Sequence, residues 1–186
     1  MSDDLVFSDE QAEVSSRKTL PPWQILVVDD EPAVHEVTKL VMSDFEMDGR
    51  GLHFTHCYSA AEARAVLAER TDIALILLDV VMESEHAGLD LARYIREDLG
   101  NLNVRIILRT GQPGQAPEEQ VIRDYDINDY KEKTDLTRRK LITVFYAGLR
   151  AYRDLMRNEQ ASVGLRRSIE AISQVCDSRN LRSFAS

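Results

Sequence analysis

From Trp23 onward, short apolar runs alternate with longer amphipathic stretches, the pattern of a parallel sheet whose strands are joined by crossover helices. Ile25 to Val28, Phe54 to Cys57, Ile73 to Leu78, Val104 to Leu108 and Ile127 to Tyr130 predict five strands. The third is apolar at nearly every position, as expected of a central strand covered on both faces. Between the strands, Ala33 to Phe45, Ala60 to Glu69, Leu89 to Leu99 and Glu118 to Tyr125 predict helices. Ser59 with Glu62 three residues later makes a capping box for the second. The repeats predict a doubly wound α/β domain over residues 23–150, and such a sheet binds ligands beyond the carboxyl ends of its strands.

After Asp135 the helical pattern continues to about Asp177, well past the ordinary helix length of about 10–14 residues. Ile142, Phe145, Leu149, Tyr152 and Met156 recur at three-four spacing, with Val163 one heptad later. The pattern resets to Leu165, Ile169, Ile172 and Cys176, which predicts a stutter or a break near Gly164. A parallel homodimer through this stripe is expected, along a stalk of residues 151–186, against the alternative of a helix packed back onto its own domain. Residues 1–22, acidic and Ser-rich, read as a flexible leader, and Pro21, Pro22 and Trp23 as a cover over the start of the first strand.

Composition narrows the field. A 186-residue chain that is 44% hydrophobic and 30% charged has an ordinary globular make-up. No apolar run approaches the roughly 20 residues needed to cross a bilayer. The net charge of −9 opposes nucleic-acid phosphates. Cys57 and Cys176 stand apart with no Cys or His at metal-ligand spacing, so neither a disulfide framework nor zinc is indicated. The N-terminus lacks the order of a secretory signal, which makes the cytoplasm the natural compartment. The four histidines, His35, His53, His56 and His86, are scattered.

The chemistry gathers at the predicted strand ends. Asp29, Asp30 and Glu31 follow the first strand and Asp79 follows the third, and in a right-handed doubly wound sheet these strands can be neighbours. Crowded carboxylates repel one another unless a hard cation with a preference for oxygen, such as Mg²⁺, offsets the charge. Arg109, Thr110 and Gly111 end the fourth strand, and Lys131 or Lys133 brings a cation after the fifth. Acids, a hydroxyl and an ammonium are the parts of a phosphoryl-transfer site.

The ordered segments Ile25-Leu26-Val27-Val28-Asp29-Asp30-Glu31, Leu77-Leu78-Asp79, Arg109-Thr110-Gly111 and Asp129-Tyr130-Lys131-Glu132-Lys133 resemble the motifs of response-regulator receivers over about residues 24–150. The resemblance implies a flavodoxin-like five-stranded parallel sheet of order 2-1-3-4-5 with a long C-terminal helical extension. It implies Asp79 as phosphoacceptor, with Asp30, Asp79 and the Val81 carbonyl as Mg²⁺ ligands and Asp29 acting through water. It implies that Thr110 and Lys133 bind the phosphoryl group and that Thr110 and Tyr130 move as a switch. The phosphoryl donor would be a sensor histidine kinase or phosphotransfer protein. Val81 and Gln112 stand where relatives tune the attacking water in dephosphorylation; Val81 cannot orient water through its side chain, although Gln112 could by hydrogen bonding, and slow self-dephosphorylation is expected.

Thr134 stands where the family usually has Pro after a cis bond, and a non-Pro cis bond costs about 3–4 kcal/mol, so the loop is either trans or held by its surroundings. The Val80 to Ala87 loop is a residue longer than usual, with Glu83 at a position where Pro is common. Asp126 to Thr134 and Arg109 to Gly114, with the long tail, resemble a subgroup whose receivers precede a sensory-like domain and an HD-GYP cyclic-di-GMP phosphodiesterase; this chain has no His-Asp metal motif of its own. Two other classes stand beside the switch. One is a phosphorylation-independent dimerisation scaffold; the other is a haloacid-dehalogenase-like hydrolase, which needs a carboxylate where Val81 stands.

Overall fold

The computed structural model of the chain describes residues 20–111, 123, 127–132 and 137–183. Five strands, β1 (Trp23–Val28), β2 (Leu52–Cys57), β3 (Ile73–Asp79), β4 (Arg105–Thr110) and β5 (Asp129–Glu132), form a parallel sheet ordered β2-β1-β3-β4-β5. Among the described residues they are accompanied by the helices α1 (Pro32–Val41), α2 (Ala60–Glu69), α3 (Ala87–Arg93) and α4 (Arg138–Ser183). Every residue of β3 and β4 is buried.

Alternation along the strands splits the core in two. Leu26, Val28, Ile76, Leu78, Ile106 and Leu108 face α2 and α3, whereas Ile25, Val27, Leu75, Leu77 and Ile107 pack with Met42, Phe45, Phe145 and Leu149. Trp23 belongs to β1 and is buried, its indole N–H donating to the Met47 carbonyl at 3.1 Å.

Several boundaries differ from the expected ones for identifiable reasons. The first helix ends at Val41, although Met42 and Phe45 remain buried beyond it. The helix expected from Leu89 to Leu99 begins at Ala87 and closes in one π turn, Tyr94–Asp98, where the Leu99 N–H reaches the Tyr94 carbonyl at 3.0 Å. Arg96 in that turn is buried and donates to the carbonyls of Asn101 and Val104 at 2.6 and 3.0 Å. The fifth strand begins two residues later than expected, because Asn128 pairs with Ile106 through both its backbone N–H and its side-chain oxygen. The expected helix 118–125 lies, apart from Arg123, outside the described residues.

The C-terminal stripe requires the largest correction. Phe145 and Leu149 are fully buried against the sheet, with Ile142 and Tyr152 packed beside them, so they cannot form an intermolecular seam. Gly148 permits this approach: a Cβ there would stand 2.7 Å from Leu75 Cδ1. No break occurs at Gly164, for α4 is one helix of 46 residues, and a single exposed glycine costs only about 1 kcal/mol. Its outer part exposes Val163, Leu165, Ile169 and Ile172, the last 64% accessible. Among the described residues no helix is long and apolar enough to cross a membrane.

Candidate functional site at the carboxyl edge of the sheet

The register of the sheet brings the predicted acids to one edge. Val28 pairs with Leu78, so Asp29, next along the chain, leaves β1 alongside Asp79 at the end of β3. Asp79 in turn pairs with Arg109 of β4, which places Thr110 one residue further out. Asp29, Asp79 and Thr110 are all buried, Asp79 to within 2% of full occlusion.

Local bonds shape the acid loop. Asp29 N–H donates to the Cys57 carbonyl at 3.2 Å, continuing the ladder past the strand, and its Oδ1 accepts from the Glu31 N–H at 3.0 Å. Pro32 then starts α1, where its lack of an N–H costs nothing. The carboxylates of Asp29, Asp30 and Glu31 offer oxygen atoms all within 4.8 Å of one another, the first buried and the other two exposed. An all-oxygen donor set with an open side suits a hard divalent ion such as Mg²⁺ that retains water ligands.

The loop after β3 is pinned twice. Val80 N–H donates to the Arg109 carbonyl at 3.0 Å, and Gly88 N–H to the Val80 carbonyl at 3.0 Å. Gly88 passes so close that a Cβ would lie 1.9 Å from the Asp79 carbonyl oxygen and 2.9 Å from Val80 Cα. Glu83 is more than a solvated acid: its carboxylate accepts from the Ala60 N–H at 2.9 Å, at the N-terminus of α2. At that same terminus Ser59 Oγ accepts from the Glu62 N–H at 3.2 Å, while the Glu62 carboxylate reaches the Tyr58 N–H rather than that of Ser59.

The response regulator receiver domain model matches residues 25–145. The chain belongs to this family. Along 97% of its length it is 50% identical to the 3'3'-cGAMP-specific phosphodiesterase 2 of Vibrio cholerae serotype O1, of which it spans 36%. Its fold is similar to the receiver domain of an HD domain-containing protein from Pseudomonas fluorescens Pf-5, with a TM-score of 0.59 at 21% identity, covering 72% of this chain and 98% of that one. It is likewise similar to an adenylate cyclase structure from Rhodopirellula baltica, with a TM-score of 0.63 at 21% identity, covering 75% and 96%.

Within this receiver the sheet gathers Asp29, Asp30, Asp79, Val81 and Thr110 at one edge. Tyr130 lies in β5 opposite Leu108, and Lys131 opposite Arg109. Lys133, Thr134 and Gln112 fall outside the described residues.

Gly88 and a histidine pair are among the features that escaped the sequence reading. Gly88 was legible only as a boundary, since nothing local reveals that helix α3 crosses the Asp79 carbonyl. The scattered histidines are not all apart: His35 on α1 and His56 on β2 approach to 2.8 Å between Nδ1 atoms. The alternation of β2, which puts His56 on the face of Phe54, was the available signal.

Proposed function

We propose that this receiver accepts a phosphoryl group on Asp79 from a histidine kinase or phosphotransfer protein and passes the change to an output through α4. The observation that carries the reading is the placement of buried Asp79 directly beside the Asp29-Asp30-Glu31 loop, with Thr110 at the end of the adjoining strand. An Asp79 carboxylate oxygen forms the new P–O bond as the P–N bond of a donor phosphohistidine breaks, and the donor imidazole departs. Asp30, Asp79 and the Val81 carbonyl would hold Mg²⁺, with Asp29 acting through a water ligand; the ion would neutralise phosphoryl oxygens and acids together. The Thr110 hydroxyl and the Lys133 ammonium orient the remaining oxygens, and Tyr130 follows Thr110 in the switched state. Val81 and Gln112 set the access of the hydrolytic water.

The exposed apolar positions of the outer helix support a dimeric stalk that begins beyond Tyr152. Likeness to a 3'3'-cGAMP-specific phosphodiesterase supports an output that hydrolyses a cyclic dinucleotide, carried by a longer protein. The receiver would then be regulatory, with hydrolysis outside the residues given in this sequence.

Incubation with radiolabelled acetyl phosphate and Mg²⁺ tests the central step. Stable, acid-resistant and base-labile label on wild type, absent from Asp79→Asn, is expected. No label on a folded wild type would favour a phosphorylation-independent scaffold, and multiple turnover would indicate a hydrolase.

A further inference from the structure

We propose that Arg109 is a built-in counter-charge that positions Asp29 and lowers the affinity of the acid edge for a divalent cation. This rests on the phosphoryl-receiver reading of the same edge. Arg109 alternates with Thr110 along β4 and therefore lies on the Ile107 face of the sheet, toward α1 and α4. Arg109 lines a cavity of about 210 Å³ together with Ala33, Val34, Val37, Thr38, Val41 and Leu141, and only 8% of the residue is accessible.

An arginine so placed is costly. It cannot shed its charge, and burial in apolar surroundings penalises that charge. Arg109 Nη2 stands 3.7 Å from Asp29 Oδ2, within ion-pair range but too long for a hydrogen bond. Its Nε has no hydrogen-bond partner among the described residues. Conventional hydrogen bonding therefore does not account for its burial; the field of the acids does. Burial pulls the guanidinium below the usual arginine range, while Asp29, Asp79 and Glu31, in that order, act in the opposite sense.

The same field would attract a divalent ion on the solvent side of the loop. Arg109 and that ion thus draw on one set of carboxylates from opposite sides, one permanently and one reversibly. The fixed charge holds the acids together when no ion is bound, and it repels the ion when one arrives. Occupancy would then follow the surrounding cation concentration rather than saturate at trace levels.

Titration of the full chain with Mg²⁺ alone, by calorimetry and by melting temperature against Mg²⁺ concentration, tests this assignment. R109M should bind Mg²⁺ about ten-fold more tightly than wild type, since a like charge in a partly buried site is removed. Its Mg²⁺-free form should melt lower, and added Mg²⁺ should narrow the gap. R109K, which keeps the charge, should return the affinity toward that of wild type. A merely structural side chain would give weaker binding on truncation, not tighter.

Unchanged or weaker Mg²⁺ binding by folded R109M would overturn the proposal, as would R109K behaving like R109M. If R109M is unfolded without metal, the Mg²⁺ concentration that restores its fold, corrected for the folding free energy of the Mg²⁺-free variant, replaces the calorimetric value; a corrected dissociation constant above that of wild type, or failure to fold at any concentration, is contrary to the proposal. A wild type that binds no Mg²⁺ would instead remove the phosphoryl-receiver reading on which it rests.

Discussion

His35 and His56 approach to 2.8 Å between their Nδ1 atoms, while His35 Nε2 lies 2.7 Å from the backbone carbonyl of Asp29. A carbonyl only accepts, so His35 Nε2 carries the hydrogen, and the two Nδ1 atoms hold one proton between them. A single N–H···N bond therefore joins the pair. Through it, the first residue of the acid loop is tied to β2.

Burial first, then the neighbouring His35 and Lys39, lower the His56 pKa below its ordinary value, with Glu36 opposing. The unfolded chain then takes up the proton first as pH falls. The contribution of neutral His56 to stability should be complete above about pH 6.5 and be lost as pH drops from there through the lower folded value. Urea melts between pH 8 and 5 check this: His56→Gln should flatten the acid-side decline. Parallel wild-type and variant curves would contradict it.

Gly88→Ala should destabilise the domain by about 1–3 kcal/mol or more, because the added carbon meets backbone rather than a movable side chain. The displaced atoms belong to Asp79 and Val80, so acetyl-phosphate labelling should fall even under conditions where circular dichroism shows a folded protein. Wild-type stability in urea would refute the crowding argument.

The two halves of the α4 stripe should respond differently to polar substitution. Leu149→Ser should cost about 2–5 kcal/mol, as expected for truncating a buried aliphatic side chain, and change monomer stability. Ile169→Ser with Ile172→Ser should leave the receiver melt unchanged and abolish concentration-dependent association in sedimentation. Association that survives the double variant would place the interface elsewhere.

Cys57 should be chemically quiet. It is buried, and burial, with a smaller effect from Glu62, pushes its thiol up to about 11. Iodoacetamide at pH 8 should leave Cys57 unmodified in the native protein and alkylate it once urea unfolds the chain, as peptide mass spectrometry would show. Rapid native alkylation would indicate a β2 edge that opens readily.

Local pattern was enough for the sheet and its acids. Ile73 to Leu78 could only be a covered central strand, and such strands put Asp79 at a ligand-binding edge. The α4 stripe was less legible because three-four spacing defines an apolar face without saying what covers it. Phe145 and Leu149 meet the sheet, whereas Ile169 and Ile172 face outward, and the same spacing describes both. Glu83 and Gly88 were obscure for a related reason. Their partners, Ala60 N–H and the Asp79 carbonyl, are backbone groups whose proximity exists only after folding. For Arg109 the sequence leaves pairing with an acid on the sheet face level with a solvated role, and only the fold identifies the acid as Asp29, across the adjoining strand.

The unbroken run of α4 makes it a lever with its fulcrum inside the domain. At 1.5 Å per residue a 46-residue helix is about 69 Å long, so pivoting its inner end by about 5° would sweep the far end through about 6 Å. Phe145 and Leu149 grip that inner end. A rearrangement too small to notice at the sheet would thus arrive, magnified, at whatever the distal turns engage.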